Sequence, residues 1–190
     1  DTTRDSYAIN GMVPDDDGGS TAVGTSVMVD NVAPSGLVIE PVVTIDEHQL
    51  ATLNLDFDDP GTEDTHTVSI DWGDGSTPEN LTLSVGARNL TTTHQYLDDN
   101  PTDTAQDIYT INVMVTDDDG GTDTADTTVT VRNVAPIVEL DSVTIINEDG
   151  TAILTGTITD PGTLDTFTLV VNWGDTLSPD NQTTYTCGPS

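Results

Sequence analysis

Two acidic blocks each stand twice in the chain. Asp-Pro-Gly-Thr-x-Asp occupies 59–64 and 160–165, and Asp-Asp-Asp-Gly-Gly occupies 15–19 and 117–121. Carboxylates at this density repel one another unless a cation neutralises them. A hard cation with roughly six to eight oxygen ligands suits such a supply. Calcium fits better than magnesium, which takes few carboxylates and keeps its waters. Two other readings of the same residues stay open: Asp chosen for Asx-turns, and an acidic surface of the halophilic kind. No EF-hand loop is present, because no Glu follows Asp117 to Gly121 at the required spacing.

Other chemistry is sparse. No H-E-x-x-H, G-x-S-x-G, phosphate-binding or dinucleotide-binding fingerprint occurs. The 34 acids could form many carboxylate pairs of the glycosidase type. Acids in turns are exposed, however, and none has a sequence reason for a raised pKa. The chain therefore reads as non-enzymatic. Cys187 has no second Cys with which to close an internal disulfide. Asn80, Asn89 and Asn181 each open an N-x-T sequon and are possible glycosylation positions.

The charge narrows the partners. The 190 residues carry 28 Asp and 6 Glu against 3 Arg and no Lys, a formal net charge of −31. Nucleic acid is excluded, because phosphate binding needs a Lys/Arg stripe. Docking on an anionic membrane surface is equally disfavoured. No run approaches the ~18 apolar residues of a membrane span. No basic stretch followed by an apolar one opens the chain, so no signal peptide is expected, and the sequence reads as a mature product or a fragment.

The elements that carry these acids repeat. Residues 5–34 align with 107–136 without a gap, with 18 of 30 positions identical, and 59–74 align with 160–175, with 10 of 16 identical. The period is 101–102 residues, a usual domain size. The expected organisation is a C-terminal part of a unit at 1–34, a complete unit at 35–136 and the N-terminal part of a further unit at 137–190. Within the complete unit, Val42 to Ile45, Leu50 to Phe57, Thr65 to Trp72, Leu81 to Val85, Ile108 to Val115 and Thr127 to Val131 alternate apolar and polar residues. Such alternation, with 35 Thr, predicts strands. Asp-Pro-Gly, Gly-Asp-Gly and Asp-Gly-Gly supply the turns. Six or seven short strands per unit suggest an all-β sandwich. Trp72 and Trp173, at one repeat position, are expected in its core.

The motif IDWGDG (70–75) resembles the WDFGDG-type signature of PKD (polycystic kidney disease) domains. THQYLDD (93–99) followed by DIYTINVMVTDDDGG (107–121) is similar to that family's H-x-Y and Y-x-V-x-V-x-V-x-D-x-x-G tail. Trp72 precedes Gly73 directly, so the middle aromatic of the signature is missing. The unit is also longer than usual for the family, with the extra residues expected around 86–92 and 98–106. The resemblance spans essentially the whole chain and implies tandem immunoglobulin-like (PKD-like) β-sandwiches, with partial units at both ends, serving as extracellular spacers or binding modules without catalysis. In such a sandwich the chain enters at the pole that holds the second–third and sixth–seventh strand loops. That predicts convergence of Asn31, Asp58, Asp59, Asp64, Asp117, Asp118 and Asp119 at the first junction, and of Asn133, Asp160 and Asp165 at the next. Arrays of this kind often stiffen their junctions with calcium, so the resemblance implies Ca²⁺ there. Asp46, Glu47, Asp71 and Asp74 are expected at the opposite pole. His94 matches the H-x-Y pattern and is read as structural, and His66, replaced by Phe167 in the next unit, as strand decoration.

The function this predicts is mechanical: a stalk, filament, adhesive shaft or surface layer of an extracellular surface protein, with neighbouring copies of the repeat as partners. The two partial units are close to complementary. They could complete one another between molecules in a head-to-tail homopolymer, or they could belong to a longer chain. The alternative function is a carbohydrate- or protein-binding accessory module of a secreted enzyme, which would need an exposed aromatic platform from few aromatic residues.

Overall fold

A computed structural model describes residues 2–100, 102 and 104–188. The protein is all-β. Its strands are β1 (Arg4–Pro14), β2 (Ser20–Asp30), β3 (Ser35–Ile39), β4 (Ile45–Asp46), β5 (Leu50–Asp58), β6 (His66–Asp71), β7 (Glu79–Leu83), β8 (Asn89–Gln95), β9 (Gln106–Asp117), β10 (Thr122–Arg132), β11 (Ile137–Leu140), β12 (Gly156–Thr159), β13 (Phe167–Asn172) and β14 (Gln182–Cys187). No helix forms among the described residues. Alternation dictates this outcome, since period two buries one face of a strand and leaves no helical stripe.

The chain divides into two compact units. One comprises Asp1–Pro41, Thr52–Thr92 and Thr110–Thr128; the other comprises Val42–Ala51, Thr93–Tyr109 and Val129–Ser190. Both draw on the complete repeat, because its long strands β5, β9 and β10 run through the division. The strand order is β4-β10-β9-β6-β7 in one sheet and β3-β5-β8 in another. β6 is antiparallel to β9 and β7, and the short β4 is parallel to the end of β10.

In the first unit the buried faces are Leu53, Leu55 and Phe57 of β5, Val68 and Ile70 of β6, and Ile111, Val113 and Val115 of β9. The Phe57 and His66 rings meet 4.9 Å apart. Trp72 is 2% exposed, so its expected core position holds. Its indole donates to Glu79 Oε2 at 3.3 Å. In the second unit Tyr96 and Tyr109 are buried with ring centroids 4.9 Å apart, and His94 meets Tyr96 edge-on at 5.0 Å.

The turn after Trp72 needs glycine for two reasons. Gly73 has φ of 79°, and a Cβ there would lie 2.4 Å from the Thr110 carbonyl oxygen. Gly174, its repeat equivalent, has φ of 76° but open space around it. Gly73→Ala should therefore destabilise by about 2–4 kcal/mol, strain and clash together, and Gly174→Ala by about 1 kcal/mol. Urea denaturation of the two variants would show it; equal midpoints would contradict the close approach.

Two strands went unread in the sequence. β8 lies where added loop residues were expected at 86–92, and β3 follows Pro34 directly. Conversely, of Val42 to Ile45 only Ile45 enters a strand.

The ends of the chain differ from the middle. β1 and β2 form an eleven-pair hairpin, from Arg4↔Asp30 to Pro14↔Ser20, and it is exposed almost throughout. Tyr7 is 54% exposed, whereas Tyr109, one repeat later, is 6% exposed. β11 pairs with β12 and β13 with β14, as two separate two-stranded sheets. Trp173, expected in a core, is 39% exposed.

Candidate metal centres

The first centre lies in the first unit, where the β5–β6 loop meets the end of β9. One carboxylate oxygen from each of Asp59, Asp64 and Asp117 lies within 4.8 Å of the others. Asp64 is 5% exposed. Its Oδ2 is buried without a hydrogen-bond partner among the described residues. Such an atom costs free energy unless a cation or proton meets it. Burial, then the charge of Asp59 and of Asp117 to Asp119, pushes the Asp64 carboxyl above its ordinary range. Asp117 accepts from Gly121 N–H at 2.7 Å and from Asn31 Nδ2 at 2.9 Å. Asp59 accepts from Gly61 N–H at 2.7 Å and faces His66 Nε2 at 2.9 Å, with both side chains fully buried. Arg88 lies beyond: it reaches His66 Nδ1 at 3.3 Å, donates to the Gly61 carbonyl and stands over the Phe57 ring.

The second centre lies in the second unit. One oxygen each from Glu47, Asp160 and Asp165 lies within 4.8 Å of the others, and so does one each from Glu47, Asp98 and Asp99. Glu47 joins both groups. It is 2% exposed. Its Oε1 accepts from Val134 N–H at 2.6 Å, while Oε2 is buried without a hydrogen-bond partner among the described residues, as is Asp99 Oδ2. The Glu47 carboxyl is pushed up to about 7 by burial, with the charges of Asp165, Asp160 and Asp99 adding to it. Burial also raises Asp99, helped by Asp98 and Asp107, and Asp165, helped by Asp160. The loop 160–165 is tied in place by Leu164 N–H donating to Asp98 Oδ2 at 2.7 Å and Thr163 N–H to the Leu97 carbonyl at 3.3 Å.

The glycine of the recurring Asp-Pro-Gly-Thr-x-Asp block has one steric role in both centres. A Cβ on Gly61 would sit 2.0 Å from Asp64 Oδ2; one on Gly162 would sit 2.7 Å from Glu47 Oε2 and 2.8 Å from Asp165 Oδ2. The proline–glycine turn therefore presents bare backbone to the carboxylates, and its first Asp caps the turn (Asp160 Oδ1 accepts from Gly162 N–H at 2.8 Å).

Of the residues expected at the first junction, the structure brings together Asn31, Asp59, Asp64 and Asp117. Asp119 lines the same cleft as Asn31 and Asp64, and Asp58 and Asp118 are exposed. At the second, Asp160 and Asp165 converge; Asn133 is exposed, and its backbone favours the charged form of Asp99. Glu47, Asp98 and Asp99 were missed there. Glu47 belongs to the opposite pole of its own unit, and the next repeat's loop, with Asp160 and Asp165, meets it there. His66 lies on a strand as expected, the first residue of β6, and is there a buried partner of Asp59. Of the sequon asparagines, Asn80 and Asn89 are exposed on β7 and β8, and Asn181 is half-buried before β14.

These centres can supply hard oxygen ligands from groups already freed of water on one side, which suits a divalent cation of the calcium class more than a soft transition metal. No family model matches the chain, and no curated protein matches it.

Proposed function

We propose that the chain is a non-catalytic, structural repeat region of an extracellular surface protein, built from PKD-like, immunoglobulin-like sandwiches whose junctions bind calcium. Its work is mechanical, as part of a stalk, filament or surface layer. The reading is supported by the 101–102-residue repeat and by sheet orders compatible with such a sandwich. It is carried by one observation: Glu47, almost fully buried, has a carboxylate oxygen without a hydrogen-bond partner among the described residues and lies grouped with Asp98 and Asp99 and with Asp160 and Asp165. Only a cation or protons can make that arrangement favourable. Modules outside cells meet millimolar calcium and need only weak sites, with Kd of about 10⁻⁴–10⁻³ M.

Calorimetric titration of chelator-treated chain tests this. Calcium should bind with a stoichiometry of at least two, and magnesium more weakly, because these sites offer many carboxylates and little room for retained water. Absence of calcium binding at millimolar concentration would remove the reading.

A further inference from the structure

The five acids of the second centre, all inside the second unit, form two sets. Oxygens of Glu47, Asp98 and Asp99 lie within 4.8 Å of one another, and so do oxygens of Glu47, Asp160 and Asp165. Two oxygens bound to one calcium-class ion, with bonds of about 2.3–2.6 Å, stand at most roughly 5 Å apart. Each set therefore fits round one ion. Among the described residues no set joins Asp98 or Asp99 to Asp160 or Asp165, and Glu47 is the one residue common to both.

Each set also has a buried oxygen of its own without a hydrogen-bond partner among the described residues. In one it is Asp99 Oδ2, on a residue 4% exposed, and in the other Asp160 Oδ2. Glu47 Oε2, the third such oxygen, faces Asp165: a Cβ on Gly162 would lie 2.7 Å from it and 2.8 Å from Asp165 Oδ2. The backbone holds Glu47 between the two pairs. Its N–H donates to the Arg132 carbonyl at 2.9 Å, and its Oε1 accepts from Val134 N–H at 2.6 Å. Charge argues the same way. One divalent cation would leave three of the five negative charges unmet in a buried space, and two would leave one. A carboxylate shared between two cations lies closer to each than they lie to one another, which offsets their repulsion.

We propose that the second centre is binuclear: one divalent cation of the calcium class lies among Glu47, Asp98 and Asp99, a second lies among Glu47, Asp160 and Asp165, and Glu47 is the ligand they share. This rests on the calcium reading above and adds to it the number of ions and the residue that couples them. The two ions do different work. The first takes all three carboxylates from the complete repeat. The second takes one from that repeat and two from the Asp-Pro-Gly-Thr-x-Asp block of the next, so it is the ion that fastens the following loop.

Equilibrium dialysis of the full chain against millimolar calcium tests the assignment, with circular dichroism confirming retained strands in every variant. Glu47→Gln should hold two ions fewer than wild type. Asp99→Asn should lose one ion and Asp165→Asn the other, so that the double variant loses two. A centre with a single ion gives a different pattern: both single variants and the double lose the same one. That pattern overturns the proposal, as does a Glu47→Gln chain that loses fewer than two. A wild type that holds fewer than two ions overturns it without recourse to any variant. The failures are distinguishable. Loss of one ion in the double variant leaves the calcium reading standing with a mononuclear centre, whereas a wild type that binds no calcium removes both.

Discussion

Glu47→Gln should reverse the sign of its effect on stability when calcium is added. In chelator the variant should be more stable than wild type, because it replaces a buried carboxylate crowded by Asp98, Asp99, Asp160 and Asp165 with a neutral amide of the same shape. The amide oxygen can still accept from Val134 N–H, and the amide nitrogen supplies a donor to the surrounding acids. In calcium the variant should be less stable, because a central ligand of the second centre is gone. The size of the calcium effect follows from linkage. A cation at about 100 times its Kd stabilises the folded form by about 2.7 kcal/mol per site. For a domain of roughly 100 residues, 1 kcal/mol moves the melting temperature by about 4 °C or more. Wild type should therefore gain on the order of 10 °C from each occupied centre, and Glu47→Gln should forfeit the share of the second. Thermal melts of both proteins with and without calcium decide the matter. A variant less stable than wild type in both conditions would show that Glu47 is held by something other than a cation.

Without metal, stability should fall as pH rises from about 5 to 8, the reverse of ordinary acid denaturation. The Glu47 carboxyl ionises near 7 in the folded chain against a usual value of 4.5. Between those values the folded state holds a proton that the unfolded state has released. Its contribution is fully present below pH 4.5 and is lost as pH rises through about 7. Asp64, Asp99 and Asp165 are raised as well and act in the same direction. Calcium competes with these protons, so its apparent affinity should weaken by up to roughly tenfold per pH unit on acidification below 7, for one displaced proton. The melting temperature should thus decline with pH in chelator and hold or climb with pH in calcium. Parallel pH profiles in the two buffers would mean that the raised carboxyls do not bind the ion.

The sequence made the alternating strands legible wherever the alternation was apolar. Leu53, Leu55 and Phe57 announce β5, and Ile111, Val113 and Val115 announce β9. It failed at β8, where Asn89–Gln95 offers Leu90 as its one aliphatic side chain and pairs half-buried polar residues against β5. Asp59, Asp64 and Asp117 were found because recurrence picked out their blocks from a background of 28 Asp. Glu47, Asp98 and Asp99 were not, for a geometric reason. They belong to the exit end of one repeat, while Asp160 and Asp165 belong to the entry end of the next, and counting the acids of each pole separately hides a centre that takes ligands from both. Trp173 failed as a core residue: it is 39% exposed after the end of β13, in a sheet of two strands. The pairing of His66 with Asp59 carried no signal of its own, since Phe167 takes the place of His66 one repeat later.

The Arg88–His66–Asp59 arrangement sets the first centre apart from the second. The first carries the Arg88–His66 pair beside Asp59, although the charges that raise Asp64 there, like those that raise Glu47 in the second, are all carboxylates. One repeat later the positions of His66 and Arg88 hold Phe167 and Pro189, so this internal counter-charge is not inherited. A chain built this way would not take up calcium in one step. If the centres bind calcium as proposed, the two would fill at different ion concentrations, so that their occupancy becomes a graded readout of the salt around the chain.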